Sequence, residues 1–148
     1  MKIRWQWSAF SELTLEELYT VLRLRQEVFV VEQNCPFLDA DNQDQAAWHF
    51  TGWDGTELAA YLRILPAGTY FPEIGLGRIV VAPAYRGKGL GRAMMQHVLH
   101  TIDEKFNQPP VRISAQTYLE NFYTGFGFET VSPPYDEDGI LHIQMLRR

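Results

Sequence analysis

The amino-acid sequence predicts an α/β fold in which short strands form several hairpins and one helix crosses over between strands. Two observations carry this prediction. Segments rich in β-branched and aromatic residues recur along the chain, and turn-forming Gly, Pro, Asp and Asn residues separate them. Between them lie two longer segments whose apolar residues recur every three or four positions, the spacing of one helix face.

The composition is that of one ordinary globular domain. The 148 residues are 46% hydrophobic and 21% charged, which predicts a single domain over residues 1–148. The net charge of −5 argues against nucleic acid as a partner, because binding a phosphate backbone requires a basic face. No apolar run has the length of a membrane span, the N-terminal residues lack the apolar core that a signal peptide is expected to have, and the single cysteine excludes an internal disulfide. We therefore expect a cytoplasmic protein without a membrane partner.

The N-terminal third is predicted to contain a strand, a helix and a long loop. Ile3 to Trp7 alternates apolar and polar residues like a strand. Thr14 and Glu17 have the spacing of a capping box, so a helix is expected to begin there and to end near Val31. Its core-facing stripe is expected to consist of Leu15, Leu18, Tyr19, Leu22 and Phe29. Glu32 to Asp44 is rich in Asp, Asn and Gln without periodicity, which predicts a long loop of the kind that is often functional.

The middle of the chain is predicted to form a β-hairpin followed by another strand. Trp48 to Trp53 and Leu58 to Leu65 favour strands, and Asp54-Gly55 between them is a strong hairpin signal, so these strands are expected to be antiparallel. Ile74 to Val81 is the next strand. It ends before Pro83, because proline cannot continue a central strand.

The remaining chain is predicted to alternate helices and strands. A second helix runs to about Phe106 and stops before Pro109-Pro110. Its apolar stripe is expected to be Met94, Met95, Val98, Leu99 and Ile102. Val111 to Gln116 is predicted to be a strand, Leu119 to Gly125 a short helix, and two last strands are expected to flank Asp138-Gly139.

The strongest functional signal is the segment Arg86-Gly87-Lys88-Gly89-Leu90-Gly91-Arg92. It lies between a predicted strand and a predicted helix, an order that directs unpaired backbone N–H groups at an anion such as a diphosphate. The glycines let the backbone approach closely, and the three basic residues add positive charge. The same glycines would also suit a helix start with no ligand, and their spacing alone does not decide between the two. The spacings of nucleotide P-loops and of dinucleotide sites are absent, which disfavours nucleoside triphosphates and NAD.

Segments in the C-terminal half of the chain resemble the GNAT (GCN5-related) N-acetyltransferases. Arg86, Gly89 and Gly91 match the Arg/Gln-x-x-Gly-x-Gly/Ala motif of that family. The preceding segment, residues 77–83, is similar to the family's central strand. Residues 121–128 are similar to its short tyrosine-containing helix and the Gly-Phe that follows.

Two further segments, residues 24–36 and 136–143, resemble the ElaA-type subgroup of this family. The resemblance implies the GNAT fold, with a central mixed, mostly antiparallel sheet of about six to seven strands and about three to four helices. It also implies an acetyl-CoA site without a metal. The amides of residues 87–92 would hold the pyrophosphate there, and residues 79–81 would pair with the pantetheine arm. The implied cofactor-binding residues are Ile79, Val80, Val81, Arg86, Gly87, Lys88, Gly89, Leu90, Gly91, Arg92 and Asn121.

The activity implied by the resemblance is direct acetyl transfer to an amine without a covalent intermediate. A lysine-like amine, with a pKa of roughly 10.4, must lose a proton before it attacks, which costs about 4.6 kcal/mol at pH 7. The departing thiolate of coenzyme A then needs a proton, and the resemblance assigns Tyr123 as the acid. Spacing alone favours a core position for Tyr123 beside Phe122, Phe126 and Phe128.

The general base is not singled out by the sequence. Glu32, Glu73 and His49 are candidates, each acting through water, although a solvated loop carboxylate is the more usual role for such glutamates. Of these base candidates, Glu32 and His49 are named together with Tyr123 as the expected catalytic residues. The acidic residues Glu32, Asp39, Asp41 and Asp44 raise the hypothesis that the acceptor amine is cationic, although acidic loops are usually only solvated.

The remaining cysteine and histidine residues give weaker signals. Cys35 precedes a proline and has no histidine neighbour, so it is not expected to act as a nucleophile. His97 and His100 lie on one helix without a further ligand nearby, so no metal site is predicted. His142 lies in a predicted strand, where both packing and an acceptor-site role remain open.

Two other functions are compatible with parts of the pattern. Residues 25–29 partly match the Arg-x-x-Val-Phe motif of acyl-homoserine-lactone synthases, which share a GNAT-like architecture but have a less glycine-rich phosphate loop. A non-catalytic CoA-binding module is the other alternative, and Tyr123 argues against it. A homodimer is compatible with the sequence.

Overall fold

A computed structural model describes residues 1–148 and shows an eight-stranded sheet with helices on both faces. The strands are β1 (Arg4–Ala9), β2 (Trp48–Asp54), β3 (Glu57–Leu65), β4 (Ile74–Val81), β5 (Val111–Gln116), β6 (Glu129–Thr130), β7 (Tyr135–Glu137) and β8 (Ile140–Arg147). The helices are α1 (Leu15–Arg25), α2 (Leu90–Phe106) and α3 (Glu120–Thr124). None of these helices combines the length and the apolarity needed to cross a bilayer.

The sheet is mixed and mostly antiparallel, as predicted. Its strand order is β1-β2-β3-β4-β5-β8-β6, with β7 also paired to β8. Only β4 and β5 run parallel, and α2 provides the crossover between them. The predicted count of about six to seven strands lacks β6, which contains only two residues. Strands this short have too few residues to show a periodicity in the sequence.

Both predicted hairpin turns are present. Asp54 pairs with Glu57 at the end of the antiparallel β2–β3 pair, and Gly55 in the turn has φ +61°. Asp138 and Gly139 join β7 to β8 with φ values of +54° and +84°. Left-handed backbone at these positions is the reason that Asp-Gly pairs are favoured there.

Helix α1 begins where the sequence predicts but buries a different face. The Thr14 hydroxyl accepts from the Glu17 N–H, and the Glu17 carboxylate accepts from the Thr14 N–H, which completes the capping box. The predicted stripe is wrong in part, since Leu15 and Tyr19 are exposed whereas Leu18, Leu22 and Phe29 are half-buried. The residues that are buried instead are Val21, Leu24, Arg25 and Val28. Apolar residues recur at helical spacing on both faces, so periodicity alone does not choose between them, and the buried face also contains an arginine.

Past Arg25 the helix widens into a π-helical segment, Gln26–Glu32, before the loop begins. The N–H of Gln33 donates to Val28 O and that of Cys35 donates to Val30 O, both five residues back. Such segments are rare and often lie at functional sites. The long loop that follows carries the acidic residues predicted to be functional.

Two apolar clusters lie on opposite faces of the sheet. Alternate residues of β3 point to opposite sides, so that Leu62 and Ile64 belong to the cluster beneath α2, whereas Ala59 and Tyr61 belong to the cluster beneath α1. The stripe predicted for α2 is confirmed, and all five of its residues are buried. The sheet is therefore fixed from both sides.

Between these clusters, β4 and β5 separate. They pair only through residues 74–76 of β4 and residues 111–113 of β5. A bulge follows in β4, where the register against β3 shifts and Arg78 has φ +52°. Beyond the paired residues, the edge of β4 that faces β5 has no partner strand, and a cleft opens in the middle of the sheet.

Candidate active site

The cleft between the separated strands forms a cavity of about 820 Å³. One wall is β4 from Gly75 to Val81, and the other contains Ser114 to Gln116 of β5 together with residues of the β7–β8 hairpin. The end of the π-helical segment and the acidic loop close it from above. The predicted pantetheine-binding residues Ile79, Val80 and Val81 all line this cavity.

The glycine segment lies at one end of the cleft and begins α2. Gly87 and Gly89 each have φ +77°, and no atom lies within 4 Å of the position that a Cβ would take at either residue. The first hydrogen bond of α2 is donated by Ala93 to Gly89 O, at 3.1 Å. The N–H groups of residues 89–92 have no acceptor in the protein. These donors are therefore free for a ligand.

A second cavity, of about 270 Å³, lies directly at these glycines. It shares Val81 and Arg86 with the main cavity. Its lining residues are Val81, Tyr85, Arg86, Gly87, Gly89, Leu90, Gly91, Arg92 and Phe122. Of the predicted cofactor residues, Lys88 and Asn121 line neither cavity; both are exposed.

The loop that carries the glycines is anchored at both ends. The Tyr85 hydroxyl lies 2.7 Å from carboxylate oxygens of both Glu57 and Asp54, and these two carboxylates raise the pKa of Tyr85. The Arg92 guanidinium lies over the rings of Phe122 and Phe126, 5.9 and 5.6 Å from their centres. These contacts attach the loop to the β2–β3 hairpin and to the region of α3.

Arg86 crosses the mouth of the cleft to reach Glu32. Its two terminal nitrogens donate to the two carboxylate oxygens of Glu32, each at 2.6 Å. The hydrogen bonds and charge of Arg86 lower the pKa of Glu32. A carboxylate held in this way is a weak base, and a guanidinium held in this way is already occupied.

The other acidic residues of the loop are also paired with arginines. The guanidinium groups come from α1, β3 and the bulge in β4, so they hold the loop against the sheet. Arg25 is fully buried and contacts Asp39 and Asp44, each at 2.7 Å. The complete network comprises Arg25, Arg63, Arg78, Asp39, Asp41 and Asp44. All four carboxylates that suggested a cationic acceptor thus have arginine partners within the chain.

The network shifts the pKa values of its members. Burial alone would raise the pKa of Asp41, but the hydrogen bonds and charge of Arg63 outweigh it and bring that pKa down to about 2. Burial likewise opposes ionisation of Asp44, and contacts with Arg25 and Arg63 lower its pKa overall. These carboxylates therefore stay ionised and act structurally.

Tyr123 lies on α3, and its side chain belongs to the apolar core but also borders the main cavity. It is 5% exposed, lines the cavity, and packs edge-on against Phe122 and Phe128. Its hydroxyl has no hydrogen-bond partner in the chain. Burial raises the pKa of Tyr123, so that the phenol keeps its proton. Tyr123 can therefore be a core aromatic residue and also present its hydroxyl to the cavity as an acid.

His49 and Glu73 lie outside the lining of the cleft. His49 is buried, with Nδ1 2.7 Å from the Tyr61 hydroxyl and Nε2 2.9 Å from Asp44 O, and burial lowers its pKa. The two oxygens of Glu73 accept from Arg112 at 2.8 and 3.1 Å. The structure therefore does not bring Tyr123, Glu32 and His49 together around one reaction centre.

A polar cluster that the sequence did not single out lines the opposite wall. Ser114 contacts the Tyr135 hydroxyl and lies 3.3 Å from Glu137 Oε1. His142, left open by the sequence, has Nδ1 2.8 Å from Ile140 O and Nε2 3.3 Å from Glu137 Oε2. Polar residues at alternate positions of the predicted strands β5 and β8 were the available signal, because they mark a polar sheet face.

The remaining histidines and the cysteine have local contacts. His97 stacks on Trp5, with ring centres 5.6 Å apart, and His100 Nε2 lies 2.8 Å from Glu104. The two histidines thus face different partners. Cys35 lines the cleft, where its Sγ lies 3.7 Å from Asp138 O.

Comparison with known proteins gives a consistent result. The family model of the acetyltransferase (GNAT) domain matches residues 17–148. Protein ElaA of Escherichia coli is 44% identical over 147 residues, covering 98% of this chain and 96% of that protein. The resemblances to both the family and the ElaA-type subgroup are thereby confirmed.

Solved structures agree with this assignment. An acyl-CoA N-acyltransferase from Pseudomonas aeruginosa superimposes with a TM-score of 0.95 at 39% identity, covering 99% of this chain and 100% of that one. Escherichia coli ElaA gives 0.93 at 42% identity, with the same coverage. A more distant match, Thermoplasma acidophilum PaiA N-acetyltransferase in complex with coenzyme A, shares the fold at a TM-score of 0.69 and 13% identity, covering 100% of this chain and 99% of that one. The predicted GNAT fold is confirmed.

Proposed function

Because the chain belongs to the GNAT acetyltransferase family, we propose that it transfers the acetyl group of acetyl-CoA directly to a primary amine. The observation that carries this proposal is the set of unpaired N–H groups at residues 89–92, which open α2 beside a small cavity. Backbone donors at a helix start stabilise phosphate groups through hydrogen bonds and the helix dipole. These residues fit a diphosphate, since the space beside Gly87 and Gly89 is open.

The rest of the cofactor would follow the unpaired edge of β4. Main-chain groups of residues 79–81 lie along the cleft between the two cavities, with Val81 on both. An extended amide-containing arm can pair with such an edge as an added strand would. The distant relative from Thermoplasma acidophilum, which has the same fold, was solved with coenzyme A. When bound, acetyl-CoA supplies an activated thioester.

Arg86 and Glu32 are assigned to holding the cofactor-binding loop in place and not to proton transfer. Arg86 is held by two hydrogen bonds to Glu32, so the loop amides provide the main contacts to phosphate. The ion pair joins the glycine loop to the end of the π-helical segment at the cleft. Because its pKa is lowered, Glu32 is not used as the base in this mechanism. His49 is not used either, because neither of its nitrogens is free.

Tyr123 is proposed to protonate the departing sulfur. Its hydroxyl has no competing partner in the chain, and the raised pKa keeps it protonated at neutral pH. A thiolate resembles a cysteine side chain, with a pKa of roughly 8.5. Proton donation during bond cleavage therefore lowers the barrier and raises the rate, typically by a factor of roughly 10²–10⁴ for a positioned acid.

A panel of amines tests the proposal. The purified chain is mixed with acetyl-CoA and with 2-phenylethylamine, spermidine, lysine or short peptides, and release of the free thiol is followed over time. We expect acetylated product with at least one amine, and Tyr123→Phe is expected to lower kcat on the order of 10²-fold while the Kd for acetyl-CoA changes little.

The matched control is Tyr19→Phe, which removes a hydroxyl from an exposed residue of α1 that lines neither cavity. It should leave kcat within about twofold of wild type. Tight binding of acetyl-CoA without transfer to any amine would indicate a non-catalytic CoA-binding module. Unchanged turnover in Tyr123→Phe would remove this residue from the mechanism.

A further inference from the structure

The polar wall of the cleft contains a histidine whose tautomer, in the neutral ring, is fixed by a contact with the backbone. His142 is buried on β8, where it pairs with Gln116 of β5 on one side and with Tyr135 of β7 on the other. Its Nδ1 lies 2.8 Å from Ile140 O. A carbonyl oxygen only accepts hydrogen bonds, so Nδ1 carries the hydrogen, and in a neutral ring Nε2 presents its lone pair.

That lone pair faces a carboxylate. Glu137 Oε2 lies 3.3 Å from His142 Nε2, and both residues line the main cavity. An ionised carboxylate is also an acceptor only. When the ring is neutral, two acceptors therefore face each other with no hydrogen between them. A bound group with several N–H donors on one atom would satisfy both.

The two acceptors are held in place by their neighbours. Ser114 Oγ lies 3.3 Å from Glu137 Oε1, the oxygen that does not face the histidine, and also contacts the Tyr135 hydroxyl. The Tyr135 ring stacks on that of His142, with centres 6.2 Å apart and an angle of 29° between the planes. The pair therefore remains aligned without a ligand, as a binding site requires.

Resting on the function proposed above, we infer that His142 and Glu137 bind the ammonium group of the acceptor and that His142 Nε2 removes its proton. The ammonium donates to the Glu137 carboxylate and to Nε2, and one proton moves to Nε2. The neutral amine then attacks the thioester carbonyl carbon, forming the C–N bond as the C–S bond breaks. Tyr123 protonates the sulfur and regains a proton from the amide nitrogen, and His142 releases its proton to solvent.

The cavity also indicates what the amine is attached to. Large apolar side chains at its mouth are exposed to solvent: Phe37, Leu38, Tyr70 and Tyr118. The carboxylates of the acidic loop, in contrast, are neutralised by arginines. A polycation would therefore find few free charges, whereas an apolar or aromatic body would cover the exposed rim. The inferred acceptor is a primary amine on an apolar body.

Steady-state kinetics on two variants tests this inference. Glu137→Gln removes the charge that attracts the ammonium, so the KM for 2-phenylethylamine should rise about tenfold or more. His142→Gln keeps a polar side chain but removes the base, so kcat should fall at least tenfold. His142→Ala should regain part of its kcat when free imidazole is added, which a merely structural role would not produce.

The chain offers a matched pair of control variants on α2. His100 and Glu104 form an exposed His–Glu contact at 2.8 Å, far from the cleft lining. His100→Gln and Glu104→Gln should leave both kinetic parameters within about twofold of wild type. Calorimetry with acetyl-CoA should give the same Kd for all variants and so show that each one folds.

The outcomes separate the two proposals. If wild type binds no acetyl-CoA and acetylates no amine, the proposed function fails. If wild type is active but Glu137→Gln and His142→Gln retain its kcat and KM, the function stands and the inferred amine site is overturned. A higher kcat/KM for spermidine than for 2-phenylethylamine would overturn the assignment of an apolar acceptor.

Discussion

Arginine side chains decide which carboxylates of this chain are free to act. Glu32 and the three aspartates of the acidic loop are paired with four guanidinium groups, whereas Glu137 faces a histidine in the cleft. The resemblance to the family pointed to Tyr123, whereas no sequence pattern separated these carboxylates. The pairing depends on folding, because Arg78 and Asp39 are 39 residues apart in the chain.

Measuring the free energy of unfolding at decreasing pH tests whether Asp41 is paired with Arg63. Its pKa is about 2 in the folded chain and about 3.8 without the network. A carboxylate with a depressed pKa stabilises the fold fully above its unfolded pKa, and this contribution is lost as the pH falls through the folded pKa. We expect the free energy of unfolding to fall between about pH 4 and pH 2, partly because of this residue.

Urea unfolding at a series of pH values measures this contribution. In Asp41→Asn the decrease across this range should be smaller than in wild type. Asp136→Asn, at an exposed carboxylate of the β7–β8 hairpin, should retain the wild-type slope. Identical pH profiles for wild type and Asp41→Asn would show that Asp41 is not held by Arg63.

The elements that form the site were largely predictable, because each has a strong local signal. The boundaries predicted for β4, β5 and the end of α2 agree with the structure, and the glycine segment lies between β4 and α2 as expected. The helix was predicted to continue to near Val31, but the π geometry of Gln26–Glu32 and the bulge at Arg78 were not predicted. Arg25 and Arg78, which lie at these two irregularities, both pair with Asp39, a contact between residues distant in the sequence.

A substitution at the start of α2 tests whether the glycine segment binds acetyl-CoA. Gly89 has φ +77°, a conformation that β-branched residues strongly disfavour. Gly89→Val should shift the loop and fill the space beside the unpaired N–H groups of residues 89–92. The Kd for acetyl-CoA, measured by calorimetry, should therefore rise about tenfold or more, which corresponds to about 1.4 kcal/mol.

Gly55→Val is the control for backbone strain. Gly55 has φ +61° and equally open surroundings, but it lies in the β2–β3 turn. It should cost similar stability and leave the affinity for acetyl-CoA unchanged. Equal affinities in Gly89→Val and Gly55→Val would place the cofactor away from this loop.

At the scale of the whole molecule, the separation of β4 and β5 organises the site. Apolar clusters on both faces of the sheet fix the two strands where they pair, and the bulge at Arg78 directs β4 away from β5. The sequence predicted the strands and the family, but not where they separate, since the register of a parallel pair has no local signal. The cleft, the glycine loop and the His142–Glu137 pair all lie along this opening.

A crystal structure of the chain with coenzyme A would show where the cofactor binds. We expect the diphosphate to accept hydrogen bonds from the N–H groups of residues 89–92 and the pantetheine arm to run along residues 79–81 toward Tyr123. Coenzyme A bound elsewhere, with the N–H groups of residues 89–92 making no contact with it, would contradict the proposed cofactor site and with it the proposed function.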